Sequence, residues 1–186
     1  MATAKIISDI DDKRVKAVMN KILPYLKSDS TVVDIGSGNC KISKELQNRG
    51  FVVKPVDIKN KSEFKNIIPV VYDGKTLLFS DNTFDVALLI TVLHHTKNPI
   101  QLLKEAKRVA KTIILMEDTY KGRLQKYLTF IMDSLVNLEF IGHPHTNKTV
   151  SKWEEIFKEL NLRVVDRNTH NFWIFFTSAT FFLAKG

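Results

Sequence analysis

An acid and two glycines follow a short run of β-branched residues near the start of the chain. Val32 and Val33 lead into Asp34-Ile35-Gly36-Ser37-Gly38, and a helix-like segment begins at Lys41. The apolar run is typical of a strand that is buried on both faces. Glycines permit a sharp turn and let a ligand approach bare backbone, and the N–H groups of the following helix can face that ligand. The spacing therefore predicts a nucleotide-type binding loop, with a plain strand-to-helix turn as the alternative.

Two classes of cofactor loop compete for this segment. The dinucleotide fingerprint G-x-G-x-x-G needs a third glycine where this chain has Lys41, so the match to an NAD loop fails. The segment instead resembles, residue for residue, the D/E-x-G-x-G loop of class I S-adenosylmethionine-dependent methyltransferases, which often carry a further glycine in place of Cys40. The resemblance implies S-adenosyl-L-methionine as cofactor and S-adenosyl-L-homocysteine as product. The contacts implied in the loop are Asp34, Ile35, Gly36, Ser37 and Gly38.

Further acids stand where later strands are predicted to end. Asp57 closes an apolar run about 20 positions after Gly36, the distance expected of an acid that binds a ribose. A carboxylate can accept hydrogen bonds from both ribose hydroxyls, although a helix cap is the alternative role. The resemblance implies that Asp73 and Gly74 meet the adenine. The resemblance also implies cofactor contacts at two further residues near strand ends, Ile58 and Thr91.

Residues 73–85 carry the most specific part of the resemblance. They are similar to the D-A-x-x-L-P-F-x-D-x-x-F-D signature of the type 11 methyltransferases, the small-molecule group that resembles the ubiquinone and menaquinone biosynthesis enzymes. The V-L-H-H sequence at 92–95, before Asn98-Pro99, is typical of the same group. The resemblance implies methyl transfer to oxygen, nitrogen or carbon of a small-molecule acceptor.

Titratable side chains are predicted near the mouth of the cleft. A sulfonium is already a good leaving group, so methyl transfer needs in-line placement, and a base is needed only when the acceptor arrives protonated. The candidates are His94 and His95 as catalytic residues, and Tyr120, His143 and His145 on the substrate side. Packing and loop capping are the alternative roles for His94 and His95, and a plain surface loop is the alternative for His143 and His145. No metal site is predicted, because the pair at 143 and 145 has no neighbouring cysteine or carboxylate.

Composition, charge and missing motifs limit the classes of acceptor that the sequence favours. The chain has 186 residues, a net charge of +8 and a single cysteine, Cys40. The lysines are scattered, which indicates an ordinary solvated surface. The N-P-P-Y, D-P-P-Y and Pro-Cys motifs of nucleobase methylation are absent, so DNA is not an expected partner. An RNA or protein acceptor, and a non-catalytic subunit that binds the cofactor, stay open as alternatives.

The elements that must position these residues alternate along the chain. Helical periodicity predicts an amphipathic helix over 11–26 and a long helix over 122–138, and apolar runs predict strands that end near the acids described above. The pattern predicts a single α/β domain over 1–186, with a cofactor-binding half (31–118) and a substrate-side half (119–186). Its fold would be a Rossmann-like, doubly wound, seven-stranded sheet, mostly parallel with an antiparallel last strand, and with helices on both faces.

The most apolar stretch of the chain, residues 172–184, lies near its end. Thr177, Ser178 and Thr180 interrupt it, and it is shorter than the ~20 residues that span a bilayer. It therefore predicts a buried strand of a terminal hairpin, and membrane insertion is not expected. The N-terminus lacks a signal pattern, which predicts a cytoplasmic protein.

Overall fold

The computed structural model describes residues 2–120, 147–172 and 176–186, and within them seven strands form one sheet. The predicted helix over 122–138 lies outside these residues, as do His143 and His145. The strands are β1 (Thr31–Ile35), β2 (Val52–Asp57), β3 (Val70–Val71), β4 (Phe84–Ile90), β5 (Ala110–Thr119), β6 (Leu162–Phe172) and β7 (Phe176–Lys185).

The strand order is β3-β2-β1-β4-β5-β7-β6. The first five strands along the chain pair in parallel, and β7 lies antiparallel between β5 and β6. This confirms the predicted fold class, including the terminal hairpin. The winding direction reverses between β1 and β4, and open α/β sheets bind ligands outside the carboxyl ends of the strands at such a reversal.

Helices cover both faces of the sheet. Val18 and Leu46 belong to one buried cluster with Val32 of β1, while Leu103 and Phe157 belong to the other. The helices are α1 (Ala2–Ile22), α2 (Lys41–Asn48), α3 (Pro99–Val109) and α4 (Val150–Glu159). Thus α1 and α2 lie on one face, and α3 and α4 lie on the other. Over the described ranges, no helix combines the length and apolarity needed to cross a membrane.

The bounds of α1 differ from the predicted 11–26. The helix already begins at Ala2, so Asp11 and Asp12 stand in its middle instead of at its start. It ends at Ile22 and continues as a 3₁₀ turn over Leu23–Tyr25. Pro24 explains the early end, because its ring and missing N–H do not fit a helix interior.

Asp85 joins three strands at the amino edge of the sheet. Its Oδ2 accepts hydrogen bonds from the backbone N (2.9 Å) and Oγ1 (2.8 Å) of Thr31 at the start of β1. Its Oδ1 lies 2.8 Å from Nζ of Lys111 in β5. The ammonium of Lys111, together with the Thr31 donors, lowers the pKa of Asp85 to about 2. This side chain therefore holds β1, β4 and β5 together as an ionised carboxylate.

Candidate functional site

A cavity of about 580 Å³ lies at the carboxyl ends of β1, β2 and β4. Its wall combines the loop after β1, the residues after β2, the turn after β4 and one side of α1. These are the places where a doubly wound sheet binds ligands. The predicted site residues that line the cavity are Asp34, Gly36, Ser37, Gly38, Asp57, Ile58, Thr91 and His95.

The two positions in the loop hold glycine for different structural reasons. Gly36 has φ +78°, and a Cβ there would lie 2.3 Å from Cγ2 of Val92, so no other residue fits without displacing the turn after β4. Gly38 has φ +52°, and a Cβ there would meet nothing within 4 Å. Gly36 therefore permits close packing, while Gly38 presents open backbone to the cavity.

Asp57 ends β2 and contacts the loop directly. Its Oδ2 accepts a hydrogen bond of 2.8 Å from the backbone N of Gly38, and its Oδ1 accepts one of 3.3 Å from Lys59. Each carboxylate oxygen has two acceptor sites, so capacity remains for hydroxyl donors in the cavity. The loop and the carboxylate are thereby fixed relative to each other.

Asp34 is a buried carboxyl group, and its residue is only 2% exposed. The hydroxyl of Ser43 in α2 donates a 2.6 Å hydrogen bond to its Oδ2. Burial raises the pKa of Asp34 to about 6, the charge of Asp57 adds to the increase, and the Ser43 bond opposes it. A cationic group in the cavity would favour the ionised form, so the site is suited to an ammonium.

An ionic cluster joins α1 to the start of α2. Lys41 Nζ lies 3.2 Å from Asp11 Oδ2, 3.5 Å from Asp12 and 3.6 Å from Glu63. Asn39 Nδ2 also donates to Asp11 and Glu63. The cluster explains why the two acids lie in the middle of α1, since they face the binding loop.

The turn after β4 rests on a buried pair of side chains. His94 Nδ1 lies 2.5 Å from Glu117 Oε2, and the side chains are 1% and 0% exposed. The other oxygen of Glu117 accepts a 2.7 Å hydrogen bond from Leu93 N. The ring of His95 lies 4.0 Å from that of His94, measured between centroids, and His95 lines the cavity. His94 is thus placed to position the turn, and His95 to meet a ligand.

The other predicted site residues lie elsewhere. Ile35 is buried in β1. Asp73 and Gly74 are outside the cavity lining. Asp73 Oδ1 accepts hydrogen bonds within its own turn, from Lys75 N (2.8 Å) and Thr76 N (3.0 Å). Tyr120 lines a second cavity of about 510 Å³ at the ends of β5 and β6. Within the described ranges, no cluster of three metal-ligating side chains occurs.

Several residues outside the predicted set also belong to the site. Arg14 of α1 and Tyr72 line the cavity, and Glu117 supports the turn beside it. Burial raises the pKa of Tyr72 to about 12, so its phenol stays protonated. In the sequence, an acid within an apolar strand could have marked Glu117 as a functional residue. Arg14 had no comparable signal, because it is one of several cations on its helix.

Comparisons with known proteins agree with this architecture. A family model described as a methyltransferase domain matches residues 8–167. The tRNA (carboxymethyluridine(34)-5-O)-methyltransferase of Schizosaccharomyces pombe is 33% identical over 113 residues, which are 59% of this chain and 50% of that protein. The chain thus spans about half, or less, of the length of the curated relatives it matches.

Solved structures share the fold at low sequence identity. The PH0226 protein of Pyrococcus horikoshii superposes with a TM-score of 0.72 at 19% identity, covering 94% of this chain and 91% of that one. A chain from the complex between the Haloferax volcanii Trm112 methyltransferase activator and a methyltransferase-type protein superposes with a TM-score of 0.67 at 15% identity, covering 96% of both.

Proposed function

The chain belongs to the methyltransferase domain family, and on that premise we propose that it transfers a methyl group from S-adenosyl-L-methionine to a small-molecule acceptor. The observation that carries this proposal is the cavity in which the acid–glycine loop and the ends of β2 and β4 converge. When bound, the cofactor supplies a methyl group whose carbon–sulfur bond breaks as the bond to the acceptor forms.

The proposed roles follow from the chemistry of the lining. Asp57 accepts hydrogen bonds from the ribose hydroxyls, and its contact with Gly38 keeps it in place. Asp34 faces the ammonium of the methionine end, which compensates the buried negative charge. Ile58 provides apolar surface for the adenine. Holding the cofactor in this way aligns its methyl group with the acceptor, which is the main requirement of the reaction.

The acceptor side is proposed at the turn after β4 and the neighbouring end of β5. His95 lines the cofactor cavity, and Tyr120 lines the second cavity on the same edge of the sheet. We assign His95 the role of base for an acceptor that arrives protonated, with His94 and Glu117 as positioning residues. A His95→Gln variant should then retain cofactor affinity but lower the transfer rate by about 100-fold, most strongly with protonated acceptors.

The transfer itself can be tested with cofactor labelled in the methyl group. Purified protein is incubated with labelled S-adenosyl-L-methionine and, separately, with a small-molecule extract and with total tRNA. We expect label in the extract, transferred by the wild type and not by Asp57→Ala. Label in the tRNA alone would contradict the proposed acceptor class.

RNA is the second candidate acceptor, and two observations support it. The matched relative from Schizosaccharomyces pombe bears the name of a tRNA methyltransferase. Lys59 and Lys61 lie in the cavity lining, where they can contact phosphates in addition to the cofactor. If RNA is the acceptor, Lys59→Gln with Lys61→Gln should weaken RNA binding and reduce its dependence on salt, and should change RNA affinity more than cofactor affinity.

An activating partner subunit is a further possibility raised by the Haloferax complex. Supporting it, β3 is an edge strand of the described sheet, and Ile68 and Val71 beside its edge are 68% and 52% exposed. An exposed apolar edge can accept a strand from another protein. Cofactor binding without any methyl transfer by the isolated chain would favour this dependence on a partner.

A further inference from the structure

The second cavity, of about 510 Å³, has a lining rich in hydroxyl groups. The end of β5, the start of α4 and the hairpin of β6 and β7 contribute to this lining. The aliphatic hydroxyls of the described lining belong to Thr119, Thr149, Ser151, Thr169 and Thr177. A hydroxyl both donates and accepts hydrogen bonds, so a ligand here meets mainly groups that can do either.

The charges in this second cavity compensate each other. Among the lining residues that the structure describes, only Glu154 of α4 and Arg167 of β6 are charged, and they form an ion pair of 2.5 Å. A charged ligand therefore meets no uncompensated charge of opposite sign there, whereas the buried carboxyl of Asp34 in the cofactor cavity suits a cation. The carboxylate accepts hydrogen bonds and the guanidinium donates them, so the pair can bind neighbouring hydroxyls of a neutral ligand.

Several of the lining hydroxyls are held in place by the protein. Thr119 Oγ1 donates to the backbone O of Thr177 at 3.3 Å and keeps its own capacity to accept. Thr149 Oγ1 accepts from Lys152 N at 3.2 Å and lies 3.0 Å from Ser151 Oγ. The cavity thus presents hydrogen-bonding groups in fixed positions, which reduces the entropy lost when a ligand binds.

The second cavity adjoins the turn that carries His95. Thr119 stands two residues after Glu117, whose carboxylate contacts His94 in that turn. β4 and β5 are neighbours in the sheet, and neighbouring strands lie about 5 Å apart. A ligand in the second cavity can therefore extend across the end of β5 to the proposed base and the cofactor.

We propose that the second cavity binds the acceptor, and that this acceptor is a neutral compound with vicinal hydroxyl groups, such as a sugar, which is methylated on oxygen. This inference rests on the proposed function above. The acceptor oxygen forms a bond to the methyl carbon, the carbon–sulfur bond breaks with its electron pair left on sulfur, and the hydroxyl proton passes to the imidazole of His95. An aliphatic hydroxyl is protonated at neutral pH, which is the case in which the reaction needs a base.

The experiment divides a small-molecule extract into chemical classes before the reaction. Ion exchange separates acidic, basic and neutral compounds, and a boronate resin then separates neutral vicinal diols from the other neutral compounds. Each fraction is incubated with the wild type and with cofactor labelled in the methyl group, and unreacted cofactor is removed by chromatography. We expect label in the neutral diol fraction. Label only in another small-molecule fraction would overturn the inference and leave the proposed function standing, whereas label in none would contradict the proposed function as well.

Variants of the lining test where this acceptor binds. Thr169→Val removes one hydroxyl of the cavity at nearly constant volume, and Glu154→Gln removes the carboxylate of the ion pair. Thr112→Val is the matched control, because it makes the same change in a strand at the amino edge, outside both cavity linings. Unfolding temperatures of all variants show whether the fold is retained.

The apparent KM for the diol fraction is measured by dilution of that fraction. We expect it to rise about fivefold in Thr169→Val and about tenfold in Glu154→Gln, while kcat and cofactor affinity stay within about twofold of the wild type. Thr112→Val should leave all three unchanged. An apparent KM that is unchanged in both cavity variants would overturn the assignment of the acceptor to the second cavity.

Discussion

At the amino edge of the sheet Asp85 accepts hydrogen bonds from Thr31 and Lys111, whereas at the carboxyl edge Asp34 receives one bond among the described residues, from Ser43. The consequences for the two pKa values are opposite, because that of Asp85 falls to about 2 and that of Asp34 rises to about 6. Each carboxylate belongs to a strand of the same parallel array.

The difference distinguishes a carboxylate that stabilises the fold from one that is suited to bind a ligand. A carboxylate whose partners are all supplied by the protein stabilises the fold, and Asp85 is of this kind. A buried carboxylate with too few partners costs stability and gains it back only when a ligand supplies the missing charge. Asp34 is of this kind, which supports the proposal that the carboxyl edge binds the ligand. Local departures from the most stable arrangement are expected at functional sites.

The largest expected effect concerns the loop at the carboxyl edge. Gly36→Ala should lower the free energy of unfolding by more than ~2 kcal/mol and abolish measurable cofactor binding, because the new Cβ meets Val92 and φ is positive. Gly38→Ala carries only the backbone cost, about 1 kcal/mol, since open space surrounds that position. Thermal unfolding of both variants provides the measurement. Equal losses would mean that the contact with Val92 does not shape the loop.

Asp34→Asn tests whether the buried carboxylate at the carboxyl edge costs stability. The folded pKa of about 6 lies above the ordinary 3.8, so this group's contribution to stability is present below pH 3.8 and is lost as the pH rises through 6. The variant removes that penalty and should be more stable than the wild type at pH 8, by up to about 3 kcal/mol, but not at pH 4. It should also bind the cofactor at least about tenfold more weakly at pH 8. A stability difference that does not vary with pH would contradict the assignment.

Asp85→Asn tests whether the carboxylate at the amino edge stabilises the fold. The folded pKa of about 2 lies below 3.8, so the stabilisation is present above pH 3.8 and is lost as the pH falls through 2. The side chain is 38% exposed, and solvent screening reduces the expected loss to about 1 kcal/mol at pH 7. Chemical unfolding at pH 7 and pH 3 should show the loss shrinking in acid. Cofactor affinity should stay unchanged, and a loss comparable to that of Asp34→Asn would remove the distinction between the two edges.

Lys111→Gln should have the smallest effect. Its side chain is 64% exposed, so the ion pair with Asp85 is worth about 0.5 kcal/mol or less. The free energy of unfolding is measured at low and high salt, because only the wild type should lose the contribution of the ion pair as the salt concentration rises. A loss larger than that of Asp85→Asn would show that the Thr31 hydrogen bonds matter less than the geometry indicates.

The sheet and the strand-end acids could be predicted because they depend on local pattern. An apolar run followed by an acid places that acid at the carboxyl edge of a parallel sheet, and Asp34 and Asp57 line the same cavity there. The same rule did not bring Asp73 to the cavity, because its carboxylate caps its own turn. Hydrogen bonds within a few residues compete with a role in binding.

Contacts between distant elements could not be predicted. Arg14 reaches Thr91 only because α1 packs across the carboxyl edge, and no spacing in the sequence encodes that approach. His94 is withdrawn from the cavity because Glu117, on the neighbouring strand, holds it. Adjacent histidines look equivalent in the sequence, whereas the sheet buries one and leaves the other beside the cavity.

The most direct test of the account is a calorimetric titration of the wild type and Asp57→Ala with S-adenosyl-L-methionine, S-adenosyl-L-homocysteine and NADH. Asp57 is chosen because its carboxylate, at the end of β2, accepts a hydrogen bond from Gly38 of the loop and lines the cavity. The account predicts that the wild type binds the first two ligands in the micromolar range, that the variant loses this binding, and that neither protein binds NADH. Binding of NADH alone would contradict it.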